Sequence, residues 1–95
     1  MLLLPTNVTA VEANDTRRLL MQALKAEGGA GAVVIDASNL QRFDSSALAV
    51  LLECERAAQA LGKLFELRAA PVKLAALARL YGVDVLLMPA APKAG

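Results

Sequence analysis

The run Ala32-Val33-Val34-Ile35-Asp36 does most to limit what this chain can become. Consecutive β-branched residues are stiff at χ1, which favours a pleated strand over a helix. The run is apolar without alternation, the pattern of a central parallel strand covered on both faces. Parallel neighbours cannot be joined by tight turns; each needs a crossover, usually helical. The flanking sequence should therefore supply helices, and it does.

Ahead of the run, Thr9-Ala10-Val11-Glu12 has capping-box spacing, in which threonine and glutamate each bond the other's backbone N–H. The helix it opens should reach about Lys25. Ala13, Thr16, Leu20, Ala23 and Leu24 fall on one side, and Glu12, Arg18, Gln22 and Lys25 largely elsewhere. Gly28-Gly29-Ala30-Gly31 breaks the pattern. These glycines follow a helix, precede a strand and lack the lysine of a phosphate-binding loop, so they read as a plain loop.

Behind the run, Ala37 to Phe43 leads to a helix of about seventeen residues, from Asp44-Ser45-Ser46 to a stop near Leu61-Gly62. Ala47, Val50, Leu51, Cys54, Ala58 and Leu61 make a complete buried stripe, so Cys54 is a small core residue rather than a nucleophile. Met1 to Leu4, ended by Pro5, reads as an opening or edge strand, and Leu64 to Arg68 alternates as a strand. Pro71 and Gly82 bracket a third helix, and Val83 to Met88 reads as a last short strand. The alternation predicts an α/β sandwich, a mostly parallel four-stranded sheet with helices packed on it through right-handed crossovers. Residues 1–89 should form one domain, with 90–95 a loose tail.

Composition narrows function by exclusion. Apolar residues make up 57% of 95, more than so small a core readily hides, and the surplus points to a partner. Net charge is +1, aromatics are 3% and no basic run occurs, which argues against nucleic-acid binding. One cysteine and no histidine exclude an internal disulfide and a Ser-His-Asp triad, and leave little for zinc. No cofactor or metal is expected. No apolar run approaches the ~20 residues that cross a bilayer, and the start lacks a basic n-region, so a cytoplasmic location is expected.

Asp44-Ser45-Ser46 has a plain reading and a functional one. Asp and Ser oxygens accept the orphan N–H groups of a helix start, and the carboxylate complements its dipole. Yet Ser45, Ala49, Leu52, Glu53 and Arg56 share a side distinct from the buried stripe, with Leu48 flanking both. Ala49 and Leu52 beside a cap serine suit either a docking surface or packing on a neighbouring helix. A hydroxyl here could also take a phosphate, adding about −1.5 to −2 charges beside Asp44. An acid–base pair of Asp36 and Asp44 is the weakest reading, since no other catalytic group converges.

The stretch from Val33-Val34-Ile35-Asp36-Ala37-Ser38 through Phe43-Asp44-Ser45-Ser46-Ala47-Leu48-Ala49-Val50-Leu51-Leu52 resembles a STAS domain, the fold of sulfate-transporter tails and anti-sigma factor antagonists. Leu2-Leu3-Leu4-Pro5 with Thr9, and Leu77, Leu80, Gly82 and Val83, resemble that family's opening and closing segments. The short Asp-Ser-Ser-Ala-Leu form with its alanine-rich helix looks most like the STAS subunit of the Mla phospholipid ABC transporter. That resemblance implies a non-catalytic accessory subunit that binds the transporter's ATPase and reaches the inner face of the inner membrane only through the complex. Asp44, Ser45, Ser46, Leu48, Ala49, Leu52 and Arg56 would form its partner-binding surface, with Ser45 contributing to the ATPase contact. The alternative branch, an anti-sigma factor antagonist, implies phosphorylation of Ser46 by the anti-sigma kinase, with Ser45 the other candidate hydroxyl.

Overall fold

The β-branched run forms the middle of a parallel sheet. In the computed structural model, which describes residues 2–26 and 32–87, β3 (Ala32–Asp36) lies between β1 (Leu2–Leu3) and β5 (Leu64–Arg68). Leu2 stands opposite Ile35, and β5 pairs from Ala32–Leu64 to Asp36–Arg68. The crossovers are α1 (Ala13–Ala26) and α2 (Ser45–Ala60). A second parallel pair, β2 (Asn7–Val8) with β4 (Arg42–Phe43), lies just ahead of the two helices. The N–H groups of Gln41 and Arg42 both donate to the Thr6 carbonyl, at 2.8 and 3.0 Å. These two-residue strands carry no sequence signal of their own. Their effect is to bring the starts of α1 and α2 side by side.

Val33 and Ile35 meet Leu20 and Leu24 of α1 and the α2 stripe of Ala47, Val50, Leu51, Cys54 and Ala58, all buried. Thr16 is buried with them, and Ala13 and Ala23 are half-buried, as the helical spacing predicts. Leu74 and Ala78 of α3 (Val72–Leu80) and Leu87 of α4 (Asp84–Leu87) complete the cluster. Each buried Leu or Ile contributes about 1.5–3 kcal/mol from water exclusion. Leu61, expected in the stripe, is the C-cap of α2 and is exposed.

Both glycine stops take the expected form. Gly62 and Gly82 have φ of 73° and 74°. The Lys63 N–H reaches the Ala58 carbonyl and the Gly62 N–H that of Gln59; Val83 and Gly82 do the same with Ala78 and Arg79. These paired bonds close each helix as a Schellman motif.

Two expectations about the sheet are corrected. β3 is covered on one face only. Ala32, Leu64, Glu66 and Arg68 are exposed on the other, and Val34 and Asp36 are half-buried. The order β1-β3-β5 steps across the sheet in one direction, so right-handed crossovers put α1 and α2 on the same side. The last expected strand is instead helical. The N–H groups of Leu86 and Leu87 both donate to the Val83 carbonyl at 3.1 Å, and Asp84 sits in the first turn, where the dipole favours it. A short apolar run has no period to separate strand from helix. Among the described residues the result is three strands plus the small pair, within the α/β class anticipated. Met1, the glycine segment 28–31 and the tail 90–95 lie outside the described residues. No helix among the described residues is long and apolar enough to cross a membrane.

Candidate functional site

The site is built on paired helix starts. Asp44 has extended backbone, φ −139° and ψ −163°, and its Oδ1 accepts the Ser46 N–H at 2.8 Å. Its other oxygen accepts the Ala10 N–H at 3.3 Å, from the turn that opens α1. One carboxylate therefore caps α2 and ties it to the start of α1. The Ser46 N–H, with a smaller contribution from that of Ala10, holds the Asp44 carboxyl below its ordinary pKa.

Thr9 and Glu12 organise the start of α1. Glu12 Oε1 accepts both the Thr9 N–H at 2.9 Å and the Thr9 hydroxyl at 2.6 Å. Half of the capping box is thus as expected. The threonine hydroxyl donates to the glutamate and accepts the Val11 N–H at 3.3 Å, the second N–H of the helix start in place of the third. The Thr9 hydroxyl and N–H hold the Glu12 pKa low.

Beyond the cap, Ser45 is exposed, with Ala49 one turn on and Arg56 two turns further. Val11, one residue past the Ala10 that Asp44 holds, is 85% exposed and adds apolar skin beside them. Ser46 is half-buried. Leu52 is half-buried too and packs against the core, so both readings of that residue apply in part. Leu48 corrects the expectation: it is 3% exposed and belongs to the core cluster, so no partner can touch it directly. Its direction on the helix, at the edge of the stripe, brings it under neighbouring elements instead of into solvent. Glu53 approaches Arg17 of α1 at 3.9 Å, a long and exposed pair that contributes little to stability.

The other candidate groups are accounted for structurally. Cys54 is buried, and burial pushes its thiol up to about 12, far from a reactive thiolate. Asp36 Oδ1 accepts the Ser38 N–H at 2.7 Å, and Ser38 holds its pKa low. Asp36 and Asp44 are each committed to backbone N–H groups and stay ionised at neutral pH, which suits neither to give a proton. Among the described residues no group of three or more acidic or cysteine side chains could hold a metal. Sequence reasoning missed the Asp44–Ala10 tie, which spans 34 positions and leaves no local pattern.

A parallel α/β sandwich that presents an aspartate-capped, serine-bearing helix start defines the class: a small module built around one helix end. The family model described as Mlab, STAS domain matches residues 5–89, and the chain belongs to the STAS domain family. No curated protein matches the sequence.

Proposed function

We propose that this chain is a non-catalytic adaptor that docks on the ATPase subunit of an Mla-type phospholipid ABC transporter through the start and outer face of α2. The observation that carries this reading is the exposure of Ser45 in line with Ala49 and Arg56, beside Val11, on a helix whose opposite side is sealed into the core. Asp44 gives that surface a fixed shape by locking two helix ends together. The family membership supports the same reading. In this role Ser46 and Leu52 edge the contact, and Leu48 supports it from beneath. The protein would work at the inner face of the inner membrane, held there by the complex and not by its own contact with lipid.

The anti-sigma antagonist reading asks Ser46 to take a phosphate. Ser46 is half-buried and Asp44 caps its N–H, so a phosphate there would meet a carboxylate. Docking through the exposed Ser45 is the better supported use. Co-expression with the transporter ATPase encoded in the same genome tests it. The wild-type chain should co-purify with the ATPase, and Ser45→Arg should abolish capture without changing its own melting temperature. Undiminished capture of Ser45→Arg would overturn the proposal.

A further inference from the structure

A groove of about 260 Å³ lies toward the other end of α2, between that helix, the start of β5 and α4. We propose that it docks a segment of a partner protein that presents an arginine beside aliphatic side chains. Glu55 lies about 15 Å along the α2 axis from Ser45, at 1.5 Å per residue, and about a quarter turn around the helix from Arg56, so the groove is on a different side of α2 from the first surface.

Three features select that occupant. The first is apolar wall left in water: Leu64 is 75% exposed, Val85 67% and Leu86 46%, and all three line the groove. A monomer gains nothing from grouping such residues at a concavity; a partner that covers them does. The second is Glu55, which lines the same groove, is only 9% exposed, and is with Thr16 one of two buried polar side chains among the described residues. Among the described residues no hydrogen bond or ion pair joins Glu55 to another side chain or backbone group. No side-chain oxygen among the described residues is sealed without a partner, so the oxygens of Glu55, a lining residue of the groove, are within reach of solvent. Lys63 lines the groove too but already has an interaction of its own. The third is Phe65, a half-buried aromatic that lines the groove and offers a neighbour of the kind a planar cation favours.

A partner that covers the groove would withdraw the Glu55 carboxylate from water, which is costly unless it brings a cation. A guanidinium completes the carboxylate well, because it is weakly hydrated and binds carboxylates through two parallel N–H groups. Its aliphatic neighbours would cover Leu64, Val85 and Leu86. An acidic segment or an anionic lipid headgroup would bring like charge to Glu55. A purely apolar segment would bury the carboxylate unpaired.

The test is a titration of the isotope-labelled chain with the acetylated, amidated pentapeptide Ala-Leu-Arg-Leu-Ala, followed by amide NMR. Saturable shifts are expected at Lys63 to Phe65 and at Val85 and Leu86. The neutral citrulline analogue should bind at least about tenfold more weakly, and so should Glu55→Gln with the arginine peptide. Leu64→Lys, a change at an exposed position, should weaken binding similarly, whereas Leu19→Lys, at an exposed position of α1, should leave it unchanged. Absence of saturable shifts, equal binding of the citrulline peptide, or binding that survives Glu55→Gln or Leu64→Lys would overturn the proposal. So would a glutamate-containing analogue or phosphatidylglycerol vesicles that shift the same amides more strongly.

Discussion

Leu48 and Ala49 are adjacent in sequence and opposite in role, and a pair of substitutions separates packing from docking. Leu48 is 3% exposed inside the core cluster, so Leu48→Ala removes buried carbon and leaves a cavity. The expected cost is about 2–5 kcal/mol. For a domain of this size each kcal/mol lowers the melting temperature by roughly 4–8 °C, so the fall should be at least about 8 °C. Ala49 is exposed, and Ala49→Arg keeps a good helix former, so its stability should stay within about 0.5 kcal/mol of wild type. Urea denaturation at 20 °C measures both. Capture by the transporter ATPase, at a temperature where both variants are folded, gives the second readout. Leu48→Ala should still be captured and Ala49→Arg should not. A Leu48→Ala cost under about 1 kcal/mol would contradict the burial of Leu48. Loss of capture by folded Leu48→Ala together with retention by Ala49→Arg would refute the assignment of the docking surface.

Other expectations concern local devices. An added Cβ at Gly62 or Gly82 meets nothing within 4 Å, so Gly62→Ala and Gly82→Ala should cost only the left-handed backbone, roughly 1–2 kcal/mol each by urea melts. Asparagine should recover part of that loss, and neutral alanine variants would argue against the Schellman geometry. Glu12, Asp36 and Asp44 all have folded-state pKa values lowered from 4.5, 3.8 and 3.8. Their stabilisation is therefore complete above the unfolded values and is lost as pH falls through the lower folded ones. Stability followed from neutral pH down to acid should drop below these values, and Asp44→Asn should flatten part of the drop; a level profile would be the contrary result. Cys54, with its thiol pushed up to about 12, should react with a disulfide reagent at pH 8 only as fast as the chain opens. Rapid stoichiometric labelling of the native protein would count against its burial.

What could be read from the sequence was whatever is decided within a turn or two of chain. Asp44 with Ser46, Thr9 with Glu12, and Gly62 and Gly82 as stops are all local hydrogen-bond or backbone effects, and each left a signature. The buried stripes of α1 and α2 were legible because a helix repeats its core face every three or four residues. So was the parallel α/β class, from the β-branched run and its crossovers. The tertiary structure alone decided which residues of the α2 edge reach water. Leu48 and Leu52 are four positions apart on a helix, yet one is sealed and the other half open, because neighbouring elements cover one end of that flank more fully. It also decided that one face of β3 stays uncovered by helices, that Asp44 joins two helix ends, and that Glu55 lines a groove with Leu64 and Val85. Those outcomes depend on contacts between distant segments, for which periodicity along the chain carries no information.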